Sequence, residues 1–367
     1  MTQAAFYQDP VLCGKLLEKL RISLLDLGKS IRFMEVCGTH TVSIFQSGLR
    51  SLLPAQMIHL SGPGCPVCVT HDSEVNAFLD ASQQPGVIIA TFGDLLRVPG
   101  PDRRSLKTAQ ADGASVKIVY SPLDALELAR AYPDKIVVFL SVGFETTAPV
   151  IAGVVKSAKQ AGLDNFCIMP CNKLIPPALR LLLDNDDNFS SNIDAFILPG
   201  HVSVILGTKP FMFIPEQYHC PAIITGFEPA DILLALCLIV DQLKSDRPAL
   251  VNAYPRVVSN HGSSKALDFM HKVFQVADSR WRGFGIIPNS GLRLRPEYSE
   301  FDAFERLGIE LREIEAIPGC ECGDILSGRK RPPECPLFGR ICTPENPVGP
   351  CMVSTEGSCA AWNSYQE

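Results

Sequence analysis

Fourteen cysteines are scattered unevenly through 367 residues, and the ones best placed for chemistry lie in two short motifs and a tail. Cys65 and Cys68 stand in Gly62-Pro63-Gly64-Cys65-Pro66-Val67-Cys68, with two residues between the thiols, the spacing of a redox dithiol. The motif follows a predicted strand and precedes a predicted helix, whose N-terminus stabilises a thiolate. Pro66 stiffens the turn. Half of a zinc site, or a pair of inert thiols, is the alternative. Cys37-Gly38-Thr39-His40-Thr41 closes another strand. Cys37 and His40 could ligate one metal ion, or the imidazole could accept the thiol proton. A plain turn with a buried thiol competes with both.

The tail carries Cys320, Cys322, Cys335, Cys342, Cys351 and Cys359 among dense Pro and Gly. Reading it as Cys-x12-Cys-x6-Cys-x16-Cys selects Cys322, Cys335, Cys342 and Cys359 and leaves Cys320 and Cys351 over. Four thiolates without a nearby His suit Zn²⁺ or an iron–sulfur cluster. Structural zinc sites use tight Cys-x2–4-Cys knuckles, whereas wide, Pro-flanked spacing fits loops wrapped round a larger inorganic core. Spacing therefore favours a cluster over zinc, with unligated thiols third. Asp94, Glu145 and His201 also follow predicted strands. In a parallel sheet those carboxyl ends face one crevice, so these three are candidate cleft residues. The default for Glu145 and Glu228 is a cap on the helix that follows each. No Walker-type phosphate loop is present, and Gly283-Phe284-Gly285 is too short for a dinucleotide site.

The elements that must position these groups alternate along the chain. IRFMEV (31–36), AQMIHL (55–60), GVIIATF (86–92) and VKIVYS (116–121) read as buried strands, with helices over 71–82 and 103–113. The pattern repeats with strands at 135–145, 165–170, 195–200, 212–215 and 222–227, and helices at 121–133, 146–162, 176–184 and 229–245. Alternation of this kind predicts α/β architecture: two Rossmann-like parallel-sheet domains facing a cleft, plus a cysteine-rich domain. The expected division is an N-terminal helix over 1–30 packing on the C-terminal region, α/β domains at 31–118 and 119–250, and a cluster domain at 251–367. Within the last, 269–276 reads as helical and 281–294 as strand-rich.

Composition narrows the function. Hydrophobic residues at 46% and charged ones at 20% exclude a disordered chain. A formal charge of −6 argues against nucleic acid as the main partner. The longest apolar run, 232–240, is far short of a membrane span, and the first residues lack the form of a secretory signal. A cytoplasmic protein is expected, a compartment in which structural disulfides are rare.

Taken together, CGTHT (37–41), GPGCPVCVT (62–70), FGDLLRVPG (92–100), SVGFETTAP (141–149), LPGHVS (198–203) and the tail CTPENPVGPCMVSTEGSC (342–359) resemble the HypD family, the iron scaffolds of [NiFe] hydrogenase maturation. The resemblance implies a redox-active assembly scaffold rather than a simple enzyme. It implies a complex with the small partner HypC, cyanide received from HypE, and assembly of an Fe(CN)₂CO unit. By the same resemblance, Cys37 is the ligand to that iron and His40 a nearby essential group. Cys65 and Cys68 are the redox pair, and Cys322, Cys335, Cys342 and Cys359 hold a [4Fe–4S] cluster. The rival is a stand-alone iron–sulfur dithiol/disulfide reductase, which leaves Cys37 and His40 idle.

Overall fold

The computed structural model describes residues 6–100, 102–184, 192–314 and 318–365. Its core is two parallel sheets with helices between successive strands, so the α/β class expected from the alternation holds. The first sheet has the order β2-β1-β7-β8-β9, built from β1 (Ile31–Glu35), β2 (Met57–Ser61), β7 (Ala195–Pro199), β8 (Ala222–Thr225) and β9 (Leu250–Asn252). The second has the order β4-β3-β5-β6, from β3 (Val87–Thr91), β4 (Ser115–Ile118), β5 (Ile136–Ser141) and β6 (Phe166–Pro170). β3 and β7 read as apolar runs because both faces are covered; every residue of each is buried.

Sheet pairing crosses the boundary expected near 118. β1 pairs β7 with Phe33 opposite Ala195, and the Val36 N–H donates to the Ile197 carbonyl at 3.1 Å. The strands 87–170 thus form a sheet inserted into the middle of the first one, rather than half belonging to each of two consecutive domains. Periodicity identifies strands but says nothing of their neighbours, and here each free edge is satisfied by a distant partner.

Three smaller expectations are also corrected. The helix Pro10–Leu27, capped by the Asp9 carboxylate and closed by Gly28 at φ 68°, packs on the helix Pro229–Ser245 and not on the C-terminal region. Ion pairs Lys19–Asp241 at 3.0 Å and Lys244–Asp26 at 2.9 Å flank that contact. Residues 212–215 open a helix, Phe213–Tyr218, because four apolar residues are too few to display a period. The helix placed at 269–276 runs instead over Ser264–Val273 and gives way at Phe274 to the antiparallel hairpin of β10 (Phe274–Trp281) and β11 (Gly285–Leu294).

The region 251–367 is not one unit. Ser264–Val273 packs on the helix Ala148–Gln160 of the inserted sheet, and the hairpin lies beside the helix Ile175–Leu183. The cysteine-rich stretch from 318 adds no strand to either sheet among the described residues, and it folds back on the first sheet. Its last helix, Ser358–Ser364, meets the helix Gly38–Gln46 through Phe45 and Trp362, ring centroids 5.4 Å apart, with the Arg50 guanidinium 3.7 Å over the indole. No helix among the described residues is long and apolar enough to cross a membrane.

Candidate functional site

Cys37 caps the helix Gly38–Gln46 at the carboxyl end of β1. Its turn is held from below by Glu35, a buried acid at the end of β1. The Cys37 N–H donates to Glu35 Oε2 at 3.0 Å, and the Thr41 hydroxyl donates to Oε1 at 2.6 Å. Two glycines let three segments interlock here. A Cβ on Gly64 would lie 2.2 Å from the Cys37 nitrogen, and one on Gly38 would lie 2.4 Å from the Glu356 Cβ. The Gly38 N–H then donates to the Gly64 carbonyl at 3.1 Å. CGTH, CPVC and the tail are thereby fixed against one another.

Cys37 faces a cleft of about 400 Å³ between the two sheets. Gly64 and Pro66 line it beside Cys37, Asp94 and Thr147 line it from the inserted sheet, and His201 and Glu356 close it. The Thr39 hydroxyl donates to Glu356 Oε1 at 2.8 Å, and the Ser354 hydroxyl donates to Asp94 Oδ2 at 2.8 Å, so the tail laces both walls. Burial pushes the Cys37 thiol up to about 12, with the Glu356 carboxylate adding to the rise. The resting group is a thiol, and a bound metal would have to displace its proton.

His40 lies behind that wall and is not among the residues lining the cleft. It is fully buried; Nε2 donates to the Gly226 carbonyl at 2.9 Å, while Nδ1 has no partner among the described residues. Burial pulls it down to about 4, so it is a neutral imidazole. Its ring lies 4.6 Å from Phe227, and His201 lies 4.1 Å from the same ring. Phe227 is therefore packed against both imidazoles, one buried and one in the cleft.

Asp94 and His201 do face the cleft, as expected of strand ends. Glu145 does not. Its Oε1 accepts from the Ile175 N–H at 2.9 Å, so it caps the helix Ile175–Leu183 and not the helix that follows it in sequence. Burial pushes this carboxyl up to about 7.

Cys65 and Cys68 are joined as a disulfide across the helical turn Pro66–Val69, with the Cys68 N–H donating to Cys65 Sγ at 3.2 Å. That turn packs on Pro350–Met352, the segment carrying Cys351. Beyond it, all six tail thiols line one small cavity with Ile325, Leu337, Phe338 and Met352. The two cysteines left over by spacing are drawn in with the four selected. Cys322 lies well below the ordinary thiol range because Cys320 and Cys351 donate to it. Among the described residues no three His, Cys, Asp or Glu groups close to the distances of a single ion. A ring of soft donors without His, set in an apolar shell, fits a polynuclear iron–sulfur centre better than one zinc ion.

Sequence reasoning missed Glu35, Thr39, Phe227 and Glu356. Two left a signal: an acid inside the apolar run IRFMEV, and an acid three residues before Cys359.

The HypD family model, described as the hydrogenase formation hypA family, matches residues 12–366. The chain belongs to the HypD family. The hydrogenase maturation factor HypD of Azotobacter vinelandii is 43% identical over 343 residues, covering 93% of this chain and 90% of the relative. The HypD of Rhodobacter capsulatus is 42% identical, with 100% and 98% covered, and that of Escherichia coli K12 is 42% identical, with 98% and 97% covered. This HypD-family chain is accordingly a hydrogenase maturation factor.

Proposed function

We propose that the cleft is the place where an Fe(CN)₂CO unit is built, with Cys37 as its protein thiolate and HypC as the companion subunit. The observation that carries this reading is the unbroken packing of three thiol sets: tail cavity, Pro350–Met352, the disulfide turn Pro66–Val69, and Gly64 against Cys37. Iron is the substrate here. Low-spin Fe(II) bearing cyanide and CO is matched by a soft thiolate. Binding it releases the Cys37 proton toward the cleft, where the Glu356 carboxylate acts on the thiol. Neutral His40 holds the Gly226 carbonyl and Phe227, and so keeps His201 in place at the wall.

Cyanide reaches the cleft from HypE in this reading. Opening the Cys65–Cys68 bond takes two electrons and two protons and leaves two thiols beside the iron site. A [4Fe–4S] cluster on Cys322, Cys335, Cys342 and Cys359 supplies single electrons when bound. Infrared spectroscopy of the anaerobically purified complex with HypC tests the proposal. Cyanide and carbonyl stretches are expected in the wild type and absent in Cys37→Ala. Their persistence in that variant overturns the assignment and favours a reductase that has no use for Cys37.

A further inference from the structure

Arg282 lies in the loop joining β10 to β11 and is only 6% exposed. Its backbone N–H donates to the Val69 carbonyl at 2.9 Å, directly after the disulfide turn. Its side chain reaches the same stretch: Nε donates to the Thr70 carbonyl at 3.0 Å and Nη1 to Asp72 Oδ1 at 2.6 Å. Nη2 is buried and has no partner among the described residues. A buried donor left unpaired in a native fold calls for an acceptor.

The loop's other side meets the tail. A Cβ on Gly283 would stand 2.2 Å from the Gly323 Cα, so this loop is wedged directly on the helix Cys322–Leu326. Arg282, Cys320 and Cys322 share the lining of a polar cavity of about 230 Å³. One guanidinium thus grips the chain leaving the dithiol, keeps one buried N–H unpaired among the described residues, and belongs to a residue that borders the same cavity as Cys320 and Cys322.

We propose that Arg282 is a positioning residue that donates Nη2–H to sulfur at the Cys322 end of the tail centre, raises the reduction potential there, and is balanced in this by Asp72. The inference rests on the reading that the tail thiols hold an iron–sulfur cluster. Hydrogen bonds and positive charge near ligand sulfur favour the reduced, more negative state. Removing the guanidinium leaves Asp72 as a bare carboxylate and disfavours reduction twice over. Removing the Asp72 charge frees the guanidinium to favour it. The two changes should therefore move the potential in opposite directions, which a clamp with no electrostatic role would not do.

The test is a redox titration of the anaerobic full-length protein followed by electron paramagnetic resonance, with iron and sulfide content measured alongside. At the wild-type midpoint, the oxidised-to-reduced ratio should rise about tenfold in Arg282→Gln and fall in Asp72→Asn, with Arg282→Lys between Gln and wild type. Unchanged midpoints, or shifts of the same sign in the first two variants, overturn the proposal. If Arg282→Gln loses its iron, Asp72→Asn decides alone: a higher midpoint supports the assignment and an unchanged or lower one defeats it. Wild-type protein without a cluster signal defeats the underlying reading instead, and this inference falls with it.

Discussion

At the front of the molecule Cys37 is set by regular structure: a central strand, the Glu35 carboxylate under its turn, and two glycines that allow backbone to touch backbone. At the other end the six tail thiols ride on two short helices, Cys322–Leu326 and Ser358–Ser364, the 3₁₀ turn Pro350–Met352 and the loops between them. One region rests on a sheet strand; the other is tied by local turn hydrogen bonds and has an interior lined with sulfur. On the proposed reading the contrast teaches that precision is placed where a single atom would be gripped, and adaptability where several ligands would share one inorganic core. A lone iron tolerates little misplacement, whereas a cluster would organise the loops around it.

The sharpest way to break this comparison is Cys65→Ser. On the proposed reading the tail should keep an iron–sulfur absorbance while hydrogenase maturation stops; maturation at the wild-type level would disconnect the two regions. Metal removal comes next. Anaerobic chelation should speed amide exchange in 318–365 by about a hundredfold and leave β1 and β7 protected, as expected where metal binding supplies the folding energy. Equal exchange in both forms would show that the tail is shaped without its ligand.

On the sheet side, Glu145 offers a smaller effect with a definite sign. Its carboxyl is raised in the fold from 4.5 to about 7, so its contribution is complete below the unfolded value and is lost as pH rises through 7. Between pH 5 and 8 the wild type should lose about 3 kcal/mol of stability that Glu145→Gln does not lose. Parallel denaturation curves across that range would refute it. Smallest is the latch between regions: Arg50→Ala, which removes the cation over Trp362, should cost about 1 kcal/mol and free the terminal helix, read as faster proteolysis after residue 357.

Much of this was legible in the residues themselves. β3, β5 and β7 are buried on both faces, so their apolar runs announce them, and CGTH and CPVC stand at strand ends where a parallel sheet opens. The partner of β1 was not legible, because periodicity is local and Phe33 meets Ala195 across the whole inserted sheet. Nor was the aim of Glu145, since an acid before a helix caps that helix by default and only tertiary packing brings Ile175 within reach. Spacing set Cys320 and Cys351 aside, yet both thiols share the tail cavity, since chain order does not report how a loop closes in space. Arg282 carried no signal at all; its meaning comes from the Val69 carbonyl and Gly323, both remote from it in sequence.

The interrupted first sheet has a consequence for how the chain is made. β1 leaves the ribosome with β2, but its other edge stays open until Ala195–Pro199 has been synthesised, and the four strands of the inserted sheet can pair in the meantime, although part of their cover comes from residues made later. Assembly is therefore paced by a long-range closure, which is slow and leaves hydrophobic edges waiting. During that interval the thiols at 37, 65 and 68 are in place on the nascent polypeptide without the walls that will shelter them, a stage at which stray metal or oxidant has open access.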